Sequence, residues 1–130
     1  MLDGTVMHQD ALRHQIEEIQ AYAEHEPDRA LGELDRMIDA GIESAAMWML
    51  KACIHFQADQ YFEAAEAFSK VIKRQPNNAN ASLGLFHSLW SRGERDAAFE
   101  EMKRYFRFAG FDSTSQAARD YSAIVREING

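Results

Sequence analysis

The sequence predicts an all-α fold, a solenoid of about seven helices stacked as antiparallel pairs. Three observations predict it. Apolar residues recur at spacings of three and four along nearly the whole chain. Ala, Leu, Glu, Gln, Met and Arg dominate, with only 7 Gly and 2 Pro among 130 residues. The chain also aligns with itself at an offset of 34, the mark of a repeat architecture.

The offset divides the chain into blocks at residues 11–44, 45–78 and 79–112, followed by a last helix at about 113–129. Together they form a single domain over residues 1–130. The strongest internal agreement is a small residue followed four later by a large apolar one. It occurs as Ala30 and Leu34, Ala64 and Phe68, Ala98 and Met102, with Met37, Val71 and Tyr105 keeping step. Each block holds two helices. The first carries Ile16, Ile19 and Ala23 in block one, Met49, Cys53 and Phe56 in block two, and Leu83, Phe86 and Trp90 in block three. These spacings put the apolar residues on one face.

Breakers mark the turns. Pro27 sits where a helix can begin, in a first turn that needs no N–H from it. Asp59 is positioned to cap the helix that carries Tyr61 to Lys73. Gly93 suits a helix C-terminus that needs positive φ. Gln75-Pro76-Asn77-Asn78 stops one helix and starts the next; Gly110 takes the place of Pro76 one period on. Ser113 and Gln116 have capping-box spacing for the final helix. That helix has an apolar side (Ala117, Ala118, Tyr121, Ile124, Val125, Ile128) and a polar one, as a terminal lid requires.

These residues resemble the tetratricopeptide repeat pattern, W-x2-L-G-x2-Y, then A-x3-F, then P, over 34 residues. Block two matches best, through Trp48, Ala52, Ala64, Phe68 and Pro76, and departs at Lys51 and His55. Block three keeps Leu85, Gly93, Ala98 and Met102; block one keeps Ala30 and Leu34. The resemblance implies a right-handed α-α superhelix and a protein-binding role without catalysis.

Charge is uneven. Residues 1–69 hold 14 acids and 4 Lys or Arg, whereas residues 70–130 hold 7 acids and 10 bases. Lys70, Lys73, Arg74, Lys103, Arg104 and Arg107 are read as solvated positions and helix-terminal charges rather than a phosphate-binding face, so nucleic acid is not an expected partner. No apolar run approaches the roughly 20 residues that span a bilayer, so no membrane is expected either. The start, Met1-Leu-Asp-Gly, lacks a basic and apolar leader pattern, which suggests a cytoplasmic chain.

No chemistry is legible. The five histidines, His8, His14, His25, His55 and His87, include no i, i+4 pair, and neither HExxH nor CxxC is present, so no metal and no cofactor are expected. His55 reads as a packed interface residue. Cys53 and His87 fall on the same side of successive first helices, but no third group orients them as nucleophile and base. The acid pairs Glu17-Glu18 and Glu100-Glu101 read as solvated faces.

In the family, first helices line a concave groove. Carried over, this gives Gln15, Ile19 and Tyr22 from block one, Met49, Cys53 and Phe56 from block two, and Asn80, Leu83, His87 and Trp90 from block three. The set is apolar and aromatic. It lacks the basic clamp by which family members hold the acidic tails of heat-shock chaperones, because those places carry Gln15, Ile19, Leu50, Asn80 and Gly84. The expected function is an adaptor or chaperone that takes an apolar peptide or amphipathic helix, with basic flanks facing the acidic first block. Two other roles are a self-assembling subunit, including a homodimer, and a chaperone similar to those of type III secretion.

Overall fold

The computed structural model describes the backbone of residues 4–129 and the side chains of residues 10–129. The leader reading of residues 1–3 and the side chain of His8 lie outside this range. Among the described residues there are seven helices and no strand: α1 (Gly4–Ala23), α2 (Pro27–Asp39), α3 (Ala45–Gln57), α4 (Tyr61–Arg74), α5 (Ala79–Ser91), α6 (Arg95–Ala109) and α7 (Gln116–Asn129). The second helices begin at residues 27, 61 and 95, and the first helices end at residues 23, 57 and 91, each step being 34 residues.

The period survives in space because the same small residue recurs at each pairing. Ala30, Ala64 and Ala98 are all completely buried, so a helix can approach without a side chain intervening. One turn on, Leu34 and Phe68 fill the space beside them at 0% and 3% exposure, with Met102 half-buried. Three clusters follow one another along the stack. Ile19, Leu34, Met47 and Ile54 join α1 to α3; Trp48, Phe68, Val71 and Leu85 join α3 to α5; Phe86, Ala98, Tyr105 and Tyr121 join α5 to α7.

Two kinds of turn alternate. First helices that follow a second helix start with a side-chain cap: Ser44 accepts from the Met47 N–H at 3.3 Å and Asn78 from the Ala81 N–H at 2.9 Å. The turns inside repeats instead close a helix C-terminus. In the second and third repeats the amides of Gln60 and Glu94 reach back to the carbonyls of His55 and Leu89. The residue before each amide, Asp59 or Gly93, takes positive φ. Asp59 is therefore not the cap of α4. It ends α3 at φ 59°, and its carboxylate accepts from the Tyr61 hydroxyl at 2.8 Å. Gln60 holds the cap position without a side-chain capping bond, its Oε1 lying 2.7 Å from His55 Nδ1 instead.

The last helix also starts differently from the sequence expectation. Asp112 accepts from both the amide and the hydroxyl of Thr114, which holds residues 112–114 in a turn. Helix α7 is thereby delayed to Gln116, and Ser115, not Ser113, accepts from the Ala118 amide at 3.1 Å.

Two residues read as solvated are buried or half-buried. Glu101 is 6% exposed, and Arg104 lies beside it. The Glu101 carboxylate accepts from Ser82 Oγ on α5 at 2.7 Å and from Arg104 Nε and Nη2 at 2.6 and 2.7 Å. Ser82 Oγ lies 2.5 Å from the Tyr121 hydroxyl on α7. Ser82 gives its one hydroxyl proton to Glu101, so the Tyr121 hydroxyl donates to Ser82 Oγ, and burial raises the Tyr121 pKa above its ordinary value. Helical adjacency explains the misreading. Glu100 and Glu101 point about 100° apart, so one is exposed while the other faces α5.

Candidate functional site

The first helices α1, α3 and α5 pack against one another in succession, whereas no two second helices are among the closely packed pairs. That puts α1, α3 and α5 along one inner face, which α7 extends by bringing Ile124 and Ile128 against Phe86 and Trp90. It carries two apolar depressions. A cavity of about 430 Å³ lies between α1 and α3, lined by Ile16, Ala23, Met49, Leu50, Cys53 and Ile54 among others. A second, of about 330 Å³, lies between α5 and α7, lined by Phe86, His87, Trp90, Ile124, Glu127 and Ile128. The ridge between them is formed where the Phe56 ring on α3 meets the His87 ring on α5, edge-on at 6.4 Å.

The expected groove residues separate into those that open onto this face and those that do not. Met49 and Cys53 line the first depression, His87 and Trp90 the second. Ile19 does not belong to the groove. It is 2% exposed, packed among Leu34, Met47 and Ile54, because its side of α1 faces α2 and α3. Tyr22 is half-buried against the same cluster, with the Arg29 guanidinium 4.1 Å over its ring. Phe56 is committed to edge contacts with Tyr61 and Phe68. Leu83 packs on the Phe86 cluster, and Gln15 and Asn80 are exposed but line neither depression. Cys53 and His87 open into different depressions, so the structure does not bring them together as a pair.

The residues missed include Ile16, Gln20 and Glu24 of α1, Leu50 and Ile54 of α3, and Ile124, Glu127 and Ile128 of α7. Reading α7 purely as a lid concealed its second role. Ile124 and Ile128 are four apart and present one stripe towards α5, a spacing already visible in the sequence.

The electrostatics of the face are one-sided. Each depression carries one carboxylate, Glu24 or Glu127, and neither is lined by Lys or Arg. Trp90 is held rigid, stacked parallel on Phe86 at 6.0 Å, edge-on to Phe99 at 5.7 Å, with the Arg95 guanidinium 4.8 Å from its ring. A pre-set aromatic loses little conformational freedom when a ligand meets it.

Nothing in this arrangement activates a nucleophile. Burial pushes the Cys53 thiol pKa upward, away from the thiolate form. Its alkylation by iodoacetamide at neutral pH is expected to be at least about tenfold slower in the folded chain than in denaturant, scored by mass spectrometry; equal rates would show that burial does not suppress the thiol, and a faster folded-state rate would show an activated one. Among the described residues, no group of three His, Cys, Asp or Glu side chains is placed to hold a metal ion. No described helix is long and apolar enough to cross a membrane.

Comparison with known proteins gives one family. A family model described as tetratricopeptide repeat matches residues 20–79 and again residues 50–113. No curated protein and no solved structure gives a significant match.

Proposed function

The chain belongs to the tetratricopeptide repeat family, whose repeats mediate protein–protein interaction, and from that premise we propose that it is a non-catalytic adaptor or chaperone-like module. Its ligand is an apolar segment of another protein, laid along α1, α3, α5 and α7. The observation that carries the reading is the pair of mainly apolar depressions, each lined by a single carboxylate and by no Lys or Arg. An apolar hollow takes an apolar anchor, and the carboxylate beside it favours Lys or Arg next to that anchor. The pattern opposes an acidic tail, whose carboxylates would meet Glu24 and Glu127 in the hollows, with only Arg95, stacked over Trp90, beside them.

The two hollows also set a spacing. They lie two inter-helix steps apart, roughly 18 Å at ordinary helix packing distances. An extended segment covers that in about five residues, and a helical one in about twelve. Met49 supplies a deformable wall at one end, and Trp90 a fixed one at the other.

The test is selection of displayed random peptides on the immobilised chain, followed by anisotropy measurements on those selected. Two apolar anchors with flanking Lys or Arg are expected. The Met49→Glu/His87→Glu variant changes two residues that are not fully buried, and should keep its helical circular dichroism. Its affinity should fall at least about thirtyfold, because each charge enters an apolar hollow already carrying a carboxylate. Enrichment of acidic peptides, or undiminished binding by a folded variant, would overturn the reading.

A further inference from the structure

Helix α7 ends the stack as a first helix without its mate. At an offset of 36, two beyond the repeat period of 34, its residues fall in step with those of α5. Ala117, Ala118 and Tyr121 are buried where Ala81, Ser82 and Leu85 are buried. The match fails at Ser122 and Arg126. Both are exposed, whereas their counterparts Phe86 and Trp90 are buried and half-buried. Those counterparts belong to the stripe that α6 covers. Ser82 Oγ donates to Glu101 on α6, and the Phe86 and Trp90 rings both lie edge-on to Phe99 on α6, at 5.8 and 5.7 Å. One repeat earlier, Trp48, Ala52 and Phe56 of α3 form the same stripe and pack with Ala64 and Phe68 of α4.

On α7 the stripe of Ala118, Ser122 and Arg126 opens instead onto a cleft of about 640 Å³, lined also by Met102 and Phe106 of α6 and by Phe111. Phe111, propped edge-on against Phe106 at 5.3 Å, stands 70% exposed in its wall. An apolar wall left open in this way marks a place where another surface docks.

The fold shows three times what covers a first helix here. It is a helix of 13, 14 or 15 residues (α2, α4 and α6), with a completely buried alanine and a large apolar side chain four residues on. A second folded copy has no such helix to spare, because Ala30, Ala64 and Ala98 are each buried within their own repeats. Charge narrows the occupant further. Arg126 stands where α3 and α5 carry Phe56 and Trp90, and it enters no ion pair among the described residues. In the third repeat the residue that meets this position is Phe99, directly after Ala98. The same place in a helix seated on α7 therefore favours a carboxylate. We propose that the α6–α7 cleft is the seat of an amphipathic helix from a different polypeptide. That helix carries a small residue, an acidic residue directly after it, and a large apolar residue four after the small one, and it docks on α7 as α4 docks on α3.

This seat shares no lining residue with the inner-face depressions, so it stands or falls apart from the peptide-binding reading. The probe is a displayed library of helices copying Tyr61–Arg74, with the position of Ala65, directly after Ala64, and the exposed positions randomised. Clones that bind the full chain are synthesised and titrated by fluorescence anisotropy. They are expected to carry Asp or Glu after the retained alanine. Ser122→Arg, at an exposed position, fills the seat; that chain should keep its circular dichroism and bind these peptides at least about thirtyfold more weakly. Arg126→Glu should reverse the choice, so that Lys or Arg after the alanine binds about tenfold better than Asp or Glu. The inner-face variant Met49→Glu/His87→Glu should bind them as the parent does. Sedimentation velocity should give one mass for the parent and for Ser122→Arg. Peptides indifferent to folded Ser122→Arg, an acid preference that survives Arg126→Glu, or a parent dimer dispersed by Ser122→Arg would each overturn the proposal; the last would make a second copy the occupant.

Discussion

Glu101→Ala is expected to destabilise the chain by about 3 kcal/mol, measured by urea unfolding, the range in which removing one member of a buried ion pair falls. Glu101 holds three donors at once, Ser82 Oγ and two nitrogens of Arg104, and Arg104 also donates to the Pro76 carbonyl at 3.0 Å. Truncation leaves the Arg104 guanidinium, whose side chain is 28% exposed, without a counter-ion. Partial water access keeps the expected loss near the lower end of the range. Glu101→Gln, which retains an acceptor, should lose less, and Tyr121→Phe only about 1 kcal/mol for one neutral hydrogen bond. The loss should be regional: amides of α6 and α7 should exchange faster while those of α2 stay protected, because the network ties only α5, α6, α7 and the turn before α5. A change under about 1 kcal/mol would show that the network contributes little in solution.

That network marks the boundary of what the sequence makes legible. The alternation of helices, the period of 34, and the burial of Ala30, Ala64 and Ala98 follow from pattern alone, because a close helix approach demands a small side chain at the same place each time. The turns at Pro27, Gly93 and Pro76-Asn77-Asn78 are legible for a similar reason, since each needs a particular backbone geometry. Glu101 is not legible. A charged residue beside another in a helix looks solvated until its partners, Ser82 19 residues away and Tyr121 beyond it, are in place. Ile19 failed for the opposite reason: the first repeat gives up an apolar position to the core that a groove reading assigns to the partner. The start of α7 is not legible either: the Asp112–Thr114 turn carries it to Gln116, a local competition that periodicity does not register. On the inner face, Met49, Cys53, His87 and Trp90 were legible because first helices of a solenoid share one side; the α7 contribution was hidden by treating the last helix as a cap.

Gly84→Ala poses a sharper question, because intrinsic propensity and packing act in opposite directions. Gly84 lies in the middle of α5, where replacing glycine by alanine normally gains about 1 kcal/mol. Here an added Cβ would lie 2.3, 2.5 and 2.7 Å from three atoms of the Phe68 ring. Phe68 cannot simply retreat: it is 3% exposed, enclosed by Trp48, Ala52, Ala64 and Leu85, and in edge contact with Phe56. The close approach of α4 to α5 thus depends on a missing side chain in one repeat opposite the ring that defines the repeat before it. Overpacking of this kind costs about 1–3 kcal/mol, occasionally more. The short contacts place Gly84→Ala at the upper end, for a net loss of about 2 kcal/mol after the propensity gain. Gly84→Val adds two more carbons and a stiff β-branch, and should lose more. The cause can be isolated with a double-mutant cycle on Phe68→Leu, a change that by itself opens space and destabilises. In the Gly84→Ala background the smaller side chain should recover part of the loss, giving a coupling of at least about 1 kcal/mol. Additive losses, or a Gly84→Ala chain as stable as the parent, would mean that α4 and α5 separate readily and that this interface does not set the rise of the stack.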